Sequence, residues 1–113
     1  MENNARALAD ITRLARKFRD QLPDVNRPYN ELNAEVYRDG ALPARHKRLI
    51  AMAVAVTHGC TGCMLFQVEE ALAQGASLEE VYETLAVALG LGGSMASSKT
   101  AQVMAYLEEK GLV

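Results

Sequence analysis

Residues 49–56 read LIAMAVAV, a run with no polar side chain in it. It is far shorter than the ~20 apolar residues that a membrane span needs. It belongs to a longer helical stretch that opens at Pro43, carries the polar ARHKR at its start and runs to about Thr57, with Gly59 as its stop. A helix that is apolar all round is expected to be buried on every side, so other helices have to cover it. β-Branched residues are sparse elsewhere and no stretch alternates apolar and polar cleanly, so the chain is read as all-α.

The covering elements can be read from spacing. Leu8, Ile11, Ala15, Phe18 and Leu22 recur three and four apart, one apolar stripe of a first helix that starts near Asn3 or Asn4 and is ended by Pro23. Asn26 is the expected cap of a second helix, with Pro28 in its first turn, the stripe Tyr29, Leu32 and Val36, and Gly40 as its stop. After the apolar helix, a fourth starts around Cys60 to Gly62 and runs to Gln74, closed by Gly75, with Met64, Val68, Ala71 and Leu72 facing inward. Ser77 and Glu80 form the S-x-x-E capping box of a fifth, carried by Leu78, Val81, Tyr82, Leu85, Ala88 and Leu89. The run GLGGSMASS at 90–98 is the weakest helical stretch, because its glycines favour a break or a close contact. A last helical segment through Val103, Met104 and Leu107 ends at Gly111.

A chain of 113 residues, half of them apolar, is expected to form one domain over residues 1–113 with a real core. Its 12 basic and 14 acidic residues leave a net charge of −2, which suits neither nucleic acid nor an anionic membrane as a partner. The opening MENNARALADITRLARKF has no long apolar run, so no secretory signal is expected and a cytoplasmic location follows. In a reducing compartment two cysteines are a poor permanent staple, and any pairing between them is expected to be transient and functional.

Both cysteines lie in THGCTGCMLFQVEE, residues 57–70, spaced C-x-x-C at the expected start of a helix. There the free backbone N–H groups and the helix dipole stabilise a thiolate. The second thiol can close a disulfide, so electrons move in pairs. The competing reading is two small buried hydrophobes. A closed zinc site needs four ligands. Only Cys60, Cys63, His58 and His46 are candidates, and His46 lies most of a helix away, so no metal is expected. Met64 stands where a c-type haem motif needs histidine, and no cofactor is expected.

KRLIAMAVAVTHGCTGCMLFQVEEALAQGASLEEVYETLAVALGLGG resembles the core of the carboxymuconolactone decarboxylase family, on its alkyl hydroperoxidase D-like side. The likeness rests on the apolar helix before C-x-x-C, the helix after it, the A-x-x-x-G-A-S-x-E-E turn and the glycines near position 92. It implies the alkyl hydroperoxidase D-like helical fold of about five to six helices, a single domain of that kind, and a homo-oligomer, a trimer or hexamer. It also implies peroxide reduction or dithiol–disulfide exchange, with a peroxide or disulfide as substrate and a dithiol reductant. Within that chemistry the resemblance makes Cys63 the attacking thiol and Cys60 the resolving one, whereas the general logic of C-x-x-C favours Cys60, nearer the helix start, as the attacker.

The departures from the family pattern fall on its proton relay. The redox motif there reads Glu, eleven residues, Cys, two residues, Cys, three residues, His. Here the Glu position is Arg48 and the His position is Gln67. Glutamine can hydrogen-bond sulfur but cannot take a proton. Arg48 stays charged. It either lowers a thiol pKa by pointing at the cysteines or is a solvated member of the run RHKR. His58, two residues before Cys60, is the nearby group that titrates near neutrality. It either replaces the missing relay or sits where the end of a helix dipole favours it. Glu70, seven residues after Cys63, is a distant acidic candidate; Tyr82, Tyr106 and the methionines read as packing or subunit contacts. The expected function is a thiol-dependent oxidoreductase. The alternatives are a non-catalytic oligomeric family member that has lost the relay, and a decarboxylase or lactone-acting enzyme like the family namesake.

Overall fold

The computed structural model describes residues 3–113, which form five helices and, among the described residues, no strand. α1 spans Asn4–Asp20, α2 Pro23–Val36, α3 Ala44–His58, α4 Thr61–Ala73 and α5 Leu78–Glu109. The all-α expectation and its helix order hold. None of these helices is long and apolar enough to cross a membrane.

Local chemistry sets most of the boundaries. Asn3 Oδ1 accepts from the Arg6 N–H at 2.9 Å and starts α1. Gly59 ends α3 at φ 74°, a left-handed conformation that costs glycine nothing and any other residue something. Ser77 and Glu80 form the expected reciprocal box: Glu80 N–H donates to Ser77 Oγ at 3.1 Å and Ser77 N–H to Glu80 Oε1 at 3.0 Å. The Ser77 backbone N–H holds the Glu80 carboxyl below its ordinary range, helped by Arg45 and His46 and opposed by desolvation. The glycine-rich weak point resolves to one residue. Gly93, at φ 69° and ψ −145°, breaks α5 into two helical segments.

Two expectations need correcting. Asn26 is not the cap of α2, and Pro28 is not in its first turn: the helix begins at Pro23, with Pro28 inside it. The same proline that ends α1 opens α2, because a first helical residue needs no N–H of its own. The Leu22 carbonyl then accepts from the Val25 and Asn26 N–H groups at 3.0 and 2.8 Å. Second, α3 is not buried on every side. Leu49, Met52, Ala55 and Val56 are buried, but Ile50 and Val54 are 49% and 50% exposed.

The core forms where α3, α4 and α5 meet. Met52 and Val56 pack with Met64, Leu65 and Val68 of α4 and with Val81, Leu85, Val103 and Leu107 of α5. Each such side chain contributes about 1.5–3 kcal/mol by leaving water. Gly92 lets α5 approach α3 closely, since a Cβ there would lie 3.3 Å from Thr57 Cγ2 and 2.8 Å from Ala96 Cβ. Of the large α1 stripe residues only Leu8 is buried, and α2, which packs against α1, buries none of its residues.

Candidate functional site

The turn between α3 and α4 is short because Gly59 reverses the chain, and it delivers Cys60 straight to the N-cap of α4. The Cys60 N–H donates to the Ala55 carbonyl at 3.0 Å, and its own carbonyl accepts from Met64 N–H at 3.0 Å. Cys63 lies in the first helical turn, and the two sulfurs are joined as a disulfide with Cα atoms 5.3 Å apart, a separation natural to such bonds. Cys63 is exposed and Cys60 partly buried. The reading of two buried hydrophobes is therefore set aside. The first N–H groups of α4 have no carbonyl one turn back to bond, so they can stabilise a thiolate when the pair is reduced.

Two cavities share the cysteines as part of their walls. One, of about 580 Å³, also takes in Ile50, Val54, Lys47, His58 and Gln67. The other, of about 460 Å³, lies toward α1 and α2 and takes in Arg19, Tyr29, Arg48, Phe66 and Gln67. His58, exposed at the last position of α3, thus shares a cavity with both cysteines. His46 does not: it sits near the start of α3, 3.1 Å from Arg45 Nη2 and 3.9 Å from Glu80 Oε2.

Arg48 and Gln67, at the two positions where the relay pattern has acid and imidazole, touch each other. Arg48 Nη1 donates to Gln67 Oε1 at 3.1 Å, and Gln67 Nε2 donates to Tyr37 Oη at 3.3 Å. The Arg48 guanidinium lies 3.6 Å from the centre of the Tyr37 ring and 3.9 Å from Glu70 Oε2. Its side chain is only 16% exposed. The reading of Arg48 as a solvated member of RHKR is thereby corrected. The tyrosine face and two polar partners hold it down where its neighbours in the run stay wetter. Glu70 has a place as its ion-pair partner.

Spacing alone missed several neighbours. Tyr37 completes the Arg48–Gln67 contact from 30 residues away from Gln67. Lys99 Nζ donates to Thr61 Oγ1 at 2.7 Å and to Gln102 Oε1 at 3.2 Å, placing a cation at the first turn of α4. Arg19 reaches the second cavity from α1. No local pattern announces these residues. A tyrosine after a helix and a lysine in a glycine- and serine-rich stretch are ordinary until the fold brings them together.

A model of the carboxymuconolactone decarboxylase family matches residues 23–106. An uncharacterized protein of Cupriavidus necator is 39% identical over 71 residues, 63% of each chain. The chain thus covers less than two thirds of that relative's length. An uncharacterized protein of the cox locus of Paracoccus denitrificans is 36% identical over 78 residues, covering 69% of this chain and 70% of its own. Among solved structures, a carboxymuconolactone decarboxylase family protein from Legionella pneumophila superposes with a TM-score of 0.88 at 33% identity, over 96% of this chain and 97% of that one. A Thermotoga maritima family protein, for which a part in the antioxidative response has been suggested, gives 0.68 at 30% identity over 74% and 86%.

Proposed function

The chain belongs to the carboxymuconolactone decarboxylase family, and on that premise we propose that it is a thiol-dependent oxidoreductase working by dithiol–disulfide exchange at Cys60 and Cys63. The observation that carries this reading is the bonded pair at the start of α4, with Cys63 exposed beside two cavities. In the reduced protein the Cys63 thiolate attacks one sulfur of a disulfide substrate. The substrate S–S bond breaks and the first thiolate leaves. Cys60, as thiolate, then attacks Cys63 Sγ, the mixed disulfide breaks, and the second thiolate leaves. The substrate is reduced, the pair is oxidised, and a dithiol reductant resets it.

The relay positions favour one of the two branches of family chemistry. A thiolate leaving group has a conjugate acid of pKa about 8.5 and departs without help. The hydroxide or alkoxide released when a thiolate attacks a peroxide resembles deprotonated water, with a conjugate acid of pKa about 15.7, and has to be protonated as it leaves. Arg48 does not give up its proton and Gln67 does not titrate. Disulfide exchange survives that change; peroxide reduction is slowed by it. A second reading, peroxide reduction, rests on His58, which shares a cavity with the pair and can supply the proton in place of the relay. The suggested antioxidative role of the Thermotoga protein suits either. We place the activity in the cytoplasm and in a homo-oligomer, a trimer or hexamer.

The test is the rate of thiol alkylation against pH, joined to a mass-resolved redox titration. A Cys63 thiol that reacts as thiolate well below pH 8.5, with a reversible intramolecular disulfide, supports the proposal. Two slow, independent thiols would sink it and leave a non-catalytic assembly. His58→Ala separates the branches. It is expected to slow peroxide consumption between pH 6 and 8 and to leave disulfide exchange nearly as fast. An unchanged peroxide profile removes His58 from the reaction.

A further inference from the structure

Of the two cavities beside the cysteines, the one between α1, α2 and α4 has the character of an anion site. Among the described residues, its charged wall residues are Arg19 and Arg48, and no aspartate or glutamate lines it. Both guanidinium groups are held on tyrosine faces, Arg19 at 4.7 Å from the Tyr29 ring centre and Arg48 at 3.6 Å from that of Tyr37. Arg19 has no carboxylate within ion-pair distance among the described residues, and Arg48 has only Glu70 at the edge of reach, 3.9 Å. The buried Nε of each lacks a hydrogen-bond partner among the described residues. Two arginines oriented by aromatic stacking, Arg19 with no side-chain acceptor among the described residues and Arg48 with Gln67 Oε1 at 3.1 Å, form a receptor for a carboxylate, which a guanidinium fork binds by paired hydrogen bonds. The rest of the wall combines apolar residues, Ile11, Ala15 and Phe66 among them, with the neutral polar side chains of Thr12, Asn33 and Gln67. Its volume of about 460 Å³ falls within the range of small-ligand sites. The other cavity offers less to an anion, because the Lys47 ammonium in its wall already donates to the Arg38 carbonyl at 2.6 Å.

We propose that this cavity is the substrate pocket and that it selects disulfides carrying a carboxylate on a short aliphatic chain, the carboxylate meeting Arg19 and Arg48 while the disulfide meets Cys63. The inference rests on the exchange chemistry proposed above and adds the substrate class to it. The electron balance is that of the exchange: the reduced pair gives two electrons to the anionic disulfide, two thiols of the substrate are released, and the pair closes. A dithiol such as dithiothreitol returns it to the reduced state.

Three symmetrical aliphatic disulfides of different charge make the test: 4,4′-dithiodibutyrate, bis(2-hydroxyethyl) disulfide and cystamine. Their reduction by the prereduced full chain is followed by stopped flow and normalised to their rates with free dithiothreitol. The normalised rates are expected to fall in the order anion, neutral, cation, with the anion ahead of the neutral probe by about tenfold, the worth of one charge-assisted hydrogen bond. Arg19→Gln should collapse that ratio, and Arg19→Lys should keep part of it. Calorimetric binding of hexanoate, which has no sulfur, gives the second arm. It should be measurable with the native chain and weakened by Arg19→Gln. Exchange without charge preference, or a preference indifferent to Arg19, overturns the anion pocket and leaves the redox reading intact. Hexanoate binding through Arg19 without exchange of any probe supports the pocket and defeats the redox reading. No hexanoate binding and no exchange defeats both.

Discussion

Gln67 stands four residues after Cys63 on α4, one turn along the same face, and its amide is already engaged by Arg48 and Tyr37. An imidazole at this position would share the cavity with Cys63 and carry a transferable proton. Gln67→His is therefore expected to raise peroxide consumption at pH 7 by about tenfold or more, toward the roughly 10²–10⁴-fold that general acid–base catalysis usually supplies. Exchange with a neutral disulfide should change little. A coupled assay with dithiothreitol reads both, and no gain in the peroxide arm would mean that proton supply is not what limits it. Tyr106 offers a test at the same scale but away from the site. Burial, followed by the negative charges of Glu69 and Glu109, pushes its phenol up to about 12. The folded state therefore holds this proton more tightly than the unfolded chain, whose tyrosines titrate near their ordinary value of about 10. The resulting stabilisation is complete below pH 10 and is lost as the pH rises from about 10 to 12. Denaturant midpoints should drop across that window in the native chain and less in Tyr106→Phe. The cysteines, His58, Gln67 and Arg48 could all be picked out from the sequence, because they lie on two consecutive helices, α3 and α4, and the short turn between them. Arg19, Tyr37 and Lys99 could not, since their relation to the site is made by packing.

Among the elements, α5 carries the sharpest contrast between a local rule and its outcome. The sequence placed a weakness across residues 90–98, and the structure confines it to Gly93, whose φ of 69° and ψ of −145° suit a residue without a Cβ. Gly93→Ala is expected to lower stability by about 1–3 kcal/mol, the usual cost of forcing a side chain into such a conformation. Gly90 lies in the helical part with nothing within 4 Å of where a Cβ would stand. Gly90→Ala should raise stability by about 0.5–1 kcal/mol, because a helix interior favours alanine. Urea denaturation of the two variants reads opposite signs three residues apart; equal effects would contradict the break at Gly93. The capping box at Ser77 was legible because both halves are local in sequence. The start of α2 was not, because proline both ends and begins helices, and the choice depended on whether the Leu22 carbonyl could gather Val25 and Asn26.

At the scale of the whole molecule, the core joins α3, α4 and α5, while much apolar surface remains open to water. Val87 and Leu91 of α5 are 70% and 89% exposed, and Ile50 and Val54 of α3 about half. Ile50 and Val87 line one surface hollow; exposed apolar patches mark contact surfaces, and the homo-oligomer proposed for this chain would cover them. Sedimentation equilibrium should give a multiple of the 12.3 kDa chain mass, and Leu91→Lys should shift the distribution toward the single chain. A monomer at micromolar concentration in both would refute the assembly. The sequence by itself determined the helical class, the order of the helices, most of their ends and the placing of Cys60 and Cys63 at the start of α4. Those follow from interactions within a few residues: spacing, caps and the turn at Gly59. Only the tertiary structure decided which faces of α1, α2 and α3 stay open, that Arg48 lies on Tyr37 and binds Gln67, and that Arg19 joins the cavity beside the cysteines. Such contacts depend on how helices distant in sequence pack, and a one-dimensional pattern of apolar and charged positions is compatible with many packings.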